Sequence, residues 1–189
     1  MNIAKRSLRI RHYLIRKIAP KLYMDAFFNN ILISVPRPMI LYLKNIKKQN
    51  PLVGIEIGVR EGINAKSILE NLNIQKLYLI DPSPESYKSV NERLKEYHNQ
   101  ISFFKKTSDD AIQDIKEEID FVYIDGNHEY DYVKRDIENY FRKLKKNGVI
   151  GGHDFYGDFN GIIKAVMEFA IHNNLNVLSN KADWWIVKP

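Results

Sequence analysis

Residues 120–155 read "DFVYIDGNHEYDYVKRDIENYFRKLKKNGVIGGHDF". The stretch opens on an apolar run over 120–125, short and rich in strand-forming side chains. A helical pattern over 129–148 follows and closes on Gly148, where helices often end. A second apolar run, 149–152, comes next. Short apolar strands separated by an amphipathic helix form the unit of a buried parallel sheet. Both runs end in the same residue types. Asp125-Gly126-Asn127-His128 follows the first, and Gly151-Gly152-His153-Asp154 closes the second. In open parallel sheets ligands bind outside the carboxyl ends of the strands, so both clusters are candidates for chemistry.

The alternation extends backwards to residue 51. Strands are predicted at 51–58, 76–81 and 101–106, and helices at 64–72, 84–98 and around 109–117. Asn64 is a candidate helix cap. Beyond 155 the pattern predicts a helix over 161–174 and apolar runs at 175–179 and 184–188. Only "NKAD" separates those two runs, which is too short for a crossover helix, so they should pair antiparallel. The expectation is an α/β fold with a mostly parallel seven-stranded sheet, an antiparallel C-terminal strand and helices on both faces. Residues 1–50 read as a helical extension, interrupted by "SVPRPM" at 34–39, where two prolines favour extended backbone. Residues 51–189 read as the domain.

Charge separates the same two regions. Seven basic residues and no acid fall within 1–21, so the +6 of the whole chain leaves residues 22–189 one charge negative. The basic character belongs to the N-terminal arm, which weakens a nucleic-acid reading of the domain. The arm is amphipathic at helical spacing. It is expected to pack on the domain or a second subunit, to shape acceptor access, or to touch an anionic membrane surface. It lacks the continuous apolar run of a signal peptide, and no stretch approaches the ~20 apolar residues of a membrane span. There are no cysteines, which excludes disulfides, thiol catalysis and Cys-ligated metal. The expected location is cytoplasmic.

The other strand ends carry acids and glycines. "EIGVREG" (56–62) places Glu56, Gly58 and Gly62 in the first strand-to-helix turn, where glycine permits a tight turn and close backbone approach to a ligand. It lacks the G-x-G-x-x-G spacing of the dinucleotide fingerprint. Asp81 follows Glu56 by 25 residues at the end of the second strand. An acid there can hold ribose hydroxyls, and it reads equally as a helix cap. Ser108, in "KKTSDDA" (105–111), reads as a ligand contact or as a cap. Asp125 and His128 also have plain readings, as a cap for the helix near Glu129 and as a histidine with no task.

Together, "EIGVREG", "LIDPSPESY", the 120–155 stretch and the terminal "WWIVK" resemble a class I S-adenosylmethionine-dependent methyltransferase across residues 51–189. The I-D-G-x-H and G-G-H-D segments resemble the metal-dependent sugar and catechol O-methyltransferases within that class. The resemblance implies a Rossmann-like methyltransferase fold and binding of S-adenosylmethionine by Glu56, Gly58, Gly62, Asp81, Ser108 and Asp125. It further implies a divalent metal, magnesium or manganese, on Asp125 and Asp154. His153 departs from the carboxylate- or amide-rich pair of those enzymes, and as a further ligand it would tilt the preference toward manganese, iron or zinc. His128 would then be the general base, with Asp125 beside it in catalysis. The implied substrate is a small hydroxylated acceptor such as a carbohydrate, and the protein is open to forming a homo-oligomer. Tyr130, Phe155 and Tyr156 read, with the N-terminal segment, as walls of the acceptor pocket and equally as core residues. Two rival readings are a metal-independent methyltransferase acting on another acceptor and a non-enzymatic module that binds the cofactor or nucleic acid.

Overall fold

The computed structural model describes residues 35–189. The basic arm at 1–21, with its expected helix and its assembly, membrane and acceptor roles, lies outside the described residues. The described residues form seven strands: β1 Leu52–Ile57, β2 Ile74–Ile80, β3 Ile101–Phe104, β4 Ile119–Ile124, β5 Leu144–Gly152, β6 Leu178–Asn180 and β7 Asp183–Val187. The α-helices among the described residues are α1 Pro38–Lys47, α2 Ile63–Asn71, α3 Pro84–Arg93, α4 Ser108–Ala111, α5 Tyr130–Lys143 and α6 Asn160–His172. The sheet order is β3-β2-β1-β4-β5-β7-β6. Strands β1 to β5 run parallel, and β7 pairs antiparallel with both β5 and β6. The mixed sheet expected from the sequence is the one observed.

Alternation along the strands builds two cores. Ile55, Ile57, Tyr78, Ile80, Val122 and Ile124 point into one, against Val133 and Ile137 of α5 and Ile162 and Val166 of α6. Their sequence neighbours Leu77, Leu79, Phe121 and Tyr123 point into the other, against Ile68 of α2 and Val90 of α3. A strand buried on both faces is apolar nearly throughout, and β4 is buried at every position, with its one acid, Asp120, accepting from the Val53 N–H and Lys145. The described part of the N-terminal extension shares this second core. Met39, Ile40 and Leu43 of α1 are fully buried in it.

Several boundaries differ from the sequence expectation. The helix predicted to reach Gly148 ends at Lys143, and β5 begins at Leu144. Lys188 Nζ donates to the carbonyls of Phe141 and Leu144 at 3.2 and 2.6 Å, which satisfies the helix end. Asn147 and Gly148 then exchange backbone hydrogen bonds with Lys188 instead of continuing the helix. The helix expected around 109–117 is a single turn, Ser108–Ala111, capped by Thr107 and not by Ser108. Gly62, in the left-handed region at φ 75°, occupies the N-cap position of α2, so Asn64 lies inside that helix. Among the described residues, no helix is long and apolar enough to cross a membrane.

Candidate active site

Ile124 pairs with Gly152 at the ends of β4 and β5. Asp125 and His153-Asp154 therefore leave the sheet side by side. The Asp125 N–H donates to the Ile57 carbonyl at 2.7 Å, and the His153 N–H to the Ile124 carbonyl at 3.1 Å, so both exits are fixed by backbone. Gly58 has φ 83°, and a Cβ there would lie 2.2 Å from the Asp125 carbonyl oxygen. The close approach that glycine permits is thus made by Asp125's own backbone, where the sequence reading reserved it for a ligand.

Asp154 stands in the left-handed region at φ 60°, which aspartate tolerates better than most residues. Its Oδ2 is 3.0 Å from His128 Nε2, and its Oδ1 is 3.0 Å from His153 Nδ1. Burial opposes its charge, but the hydrogen bonds from the two histidines outweigh burial and hold the carboxyl well below the usual range. In return, the hydrogen bond to Asp154 raises His128 above the ordinary imidazole value, against partial burial. The two histidines differ in access. The His128 side chain is 38% exposed and the His153 side chain 6%. His128 packs edge-on against Phe159, with ring centroids 4.6 Å apart, so the base candidate is steadied as well as reachable.

Asp125 is not the cap of α5. Asn127 Oδ1 accepts the Glu129 N–H at 2.8 Å and closes that turn. Asp125 Oδ2 instead lies 2.9 Å from Arg37 Nη1. Burial pushes the Asp125 carboxyl up, against the pull of Arg37. Asp125, His128 and Asp154 each offer a ligand atom, all within 4.8 Å of one another. His153 is outside this set, since its Nδ1 is turned to Asp154 in a buried position. Two carboxylates and an imidazole suit a divalent ion in kind, and manganese, iron or zinc better than magnesium. Arg37 already occupies one of those carboxylates.

At the end of β1, Glu56 is 1% exposed. Its Oε1 accepts from Asn64 Nδ2 at 3.0 Å, and its Oε2 has no partner. Burial pushes this carboxyl up to about 8. The carbonyl oxygen of the Asn64 side chain and the Ser67 hydroxyl, both on α2, are also buried without partners. Such groups are costly unless a ligand meets them, and an ammonium or hydroxyl ligand suits Glu56. Asp81, 7% exposed, accepts the Val59 and Arg60 N–H groups on Oδ2 and the Ser83 N–H on Oδ1. It ties β2 to the glycine turn, while Ser83 performs the capping of α3. A carboxylate has about four acceptor positions, so about one remains here for a hydroxyl. The Ser108 hydroxyl donates to Asp136 of α5. Of the aromatics expected around the acceptor, Tyr156 meets Phe159 edge-to-face, Phe155 packs against the core, and Tyr130 donates to Glu168 of α6.

A family model described as a methyltransferase domain matches residues 55–155, just over half of the chain. The chain belongs to this methyltransferase family. Its fold is that of the class I S-adenosylmethionine-dependent enzymes. The Streptococcus mutans protein SMU.1697c, described as a methyltransferase and solved with S-adenosylhomocysteine, superposes with TM-score 0.67 at 13% identity. The match covers 82% of this chain and all of that one. The N-methyltransferase NodS of Bradyrhizobium japonicum, also solved with S-adenosylhomocysteine, gives 0.60 at 15% identity over 80% of this chain and 84% of its own. The S-adenosylhomocysteine-bound Podospora anserina methyltransferase PaMTH1 gives 0.62 at 17% over 80% and 76%. At these identities the likeness is one of fold. Uncharacterized protein R132 of Acanthamoeba polyphaga mimivirus is 29% identical over 123 residues, 60% of this chain. Uncharacterized protein y4gI of Sinorhizobium fredii is 34% identical over 71 residues, 37% of this chain. The chain spans 56% of the length of the first relative and 8% of the second.

Arg37 and Tyr123 are the site residues that sequence reasoning missed. Arg37 lies 88 positions from Asp125, within a segment read as separate from the domain. Tyr123 read as an ordinary strand residue. Neither carries a spacing signal.

Proposed function

We propose that the protein transfers a methyl group from S-adenosylmethionine to a hydroxyl of a small acceptor, such as a sugar. The observation that carries this reading is the His128–Asp154 pair at the ends of adjacent strands. S-adenosylmethionine supplies a sulfonium-activated methyl group and leaves as S-adenosylhomocysteine. Glu56, Asn64 and the loop held by Asp81 would bind it, with Gly58, Gly62 and Ser108 shaping their surroundings. Asp154 accepts from His128 Nε2, which fixes the tautomer and leaves Nδ1 as the nitrogen that takes the acceptor's proton. Asp154 then stabilises the imidazolium, which returns the proton to solvent. The fixed strand ends hold the reacting groups in place, and that positioning supplies much of the rate.

With a divalent ion on Asp125, His128 and Asp154, His128 would be a ligand and not the base, and the ion would instead serve to acidify the acceptor hydroxyl. Incubation with labelled S-adenosylmethionine and a panel of sugars and catechols tests the activity. His128→Ala should lower turnover by about 10²–10⁴-fold while S-adenosylhomocysteine binds as before. With an active acceptor in hand, wild-type turnover by that variant would remove His128 from proton transfer.

A further inference from the structure

Each carboxylate of the site already has partners of its own. Asp154 is held by His128 and His153, and Asp125 by Arg37. Arg37 is itself anchored. Its Nη1 also donates to the Tyr123 hydroxyl at 3.1 Å, and the guanidinium carbon lies 5.6 Å from the Tyr123 ring centroid. The Tyr123 hydroxyl donates to Asp183 Oδ1 at 2.9 Å, and Asp183 Oδ2 accepts the Met39 N–H at 3.0 Å. Tyr123 and Asp183 are fully buried. The Arg37 and Asp125 side chains are 16% and 19% exposed, so this ion pair is weakly screened. A planar guanidinium that touches both a carboxylate and a buried phenol is held in one orientation.

We propose that Arg37 is the resident counter-ion of Asp125, and that a divalent cation gains the Asp125–His128–Asp154 set only by displacing it. The guanidinium holds one oxygen of a carboxylate that belongs to the set. It also puts a positive charge beside the position an ion would fill, so the two cations exclude each other. Arg37 is a positioning residue in this account. It keeps Asp125 aimed and charged, and its departure opens the ion-binding set. Loading is thereby coupled to the entrance of α1, because Arg37 immediately precedes Pro38. The proposal rests on reading these three side chains as an ion-competent set.

The test is a manganese titration of the full chain, with free Mn²⁺ followed by electron paramagnetic resonance, on wild type, Arg37→Met, Arg37→Lys and Tyr123→Phe. Arg37→Met should bind Mn²⁺ at least about tenfold more tightly than wild type, since it removes a competing charge and frees a ligand. Adding Asp125→Asn to it should abolish the gain. Arg37→Lys keeps the charge and should stay near wild type. Tyr123→Phe loosens the guanidinium without touching a ligand, so it should bind more tightly than wild type. That variant also keeps the test decisive where Arg37→Met fails to fold. Equal or weaker Mn²⁺ binding by Arg37→Met and Tyr123→Phe, including none in any protein, overturns the proposal. So does an Arg37→Lys affinity as high as that of Arg37→Met. S-adenosylhomocysteine calorimetry on the same samples separates the two readings. Failure of the methyltransferase reading appears as no cofactor binding by wild type, whatever manganese does.

Discussion

Glu56 sets a stability requirement that one residue controls. An ordinary glutamate titrates near 4.5, and burial raises this one to about 8. Below the lower value both folded and unfolded chains hold the proton, and Glu56 adds no pH dependence. Between the two values the unfolded chain releases it and the folded chain keeps it. The unfolded state is favoured increasingly, so stability falls as pH rises through this window, by at most about 1.4 kcal/mol per pH unit. Glu56→Gln is neutral at every pH and should remove this contribution. Urea midpoints of variant and wild type should be close at pH 5, with the variant clearly more stable at pH 8. A parallel decline in both proteins would show that Glu56 is ionised in the fold. A cationic ligand reverses the preference, so S-adenosylhomocysteine binding near pH 7 should release a proton, visible as calorimetric heats that depend on the buffer. Glu56, Asp125 and Asp154 were legible from sequence because a βα turn announces itself by an apolar run meeting glycine, and Asp81 by its place at the end of an apolar run. Their partners were less so. The Glu56–Asn64 pair is local, yet Asn64 read as a cap because the cap was placed two residues beyond Gly62.

The turn between β1 and α2 works as one element with the turn after β4. Gly58 abuts the Asp125 carbonyl, and Asp81 clamps the next two N–H groups of the same turn. Gly58→Ala would carry a Cβ 2.2 Å from that carbonyl oxygen at a φ of 83°. The backbone term alone is on the order of 1–3 kcal/mol. The clash must also shift Asp125, so the damage should reach the site. Denaturant unfolding should show the stability loss, and the folded variant should respond less to His128→Ala than wild type does, because the donor set is already displaced. Normal stability and activity in Gly58→Ala would mean that the two turns move independently. The elements themselves were legible where periodicity was strong, as in α5 and β4. The end of α5 was not. "KKNG" suits a helix C-terminus by composition, and what stops the helix is Lys188, a residue 44 positions from the Leu144 carbonyl it caps.

At the scale of the whole molecule, the first and last described elements meet behind the site. Asp183 opens β7 and has no solvent exposure. One oxygen accepts the Met39 N–H of α1 and the other accepts the Tyr123 hydroxyl of the central strand β4. This contact explains why α1 belongs to the domain's core although sequence pattern placed it in an extension. The helix is joined by apolar side chains and one carboxylate that arrives 144 residues later. Asp183→Ala would leave a buried N–H and a buried hydroxyl without acceptors. Each such group costs about 1–3 kcal/mol, so the combined loss should rank among the larger single substitutions. Asp183→Asn keeps the shape and one acceptor oxygen, and should cost less. The two variants also separate stability from function. Tyr123 relieved of Asp183 no longer fixes its hydroxyl, and Arg37 loses its anchor. Asp183→Ala should therefore bind Mn²⁺ more tightly than wild type at temperatures where both are fully folded. The measurement is a denaturation curve paired with a manganese titration on the same preparation. A variant that loses stability with unchanged manganese affinity would confine Asp183 to the core and disconnect it from Arg37.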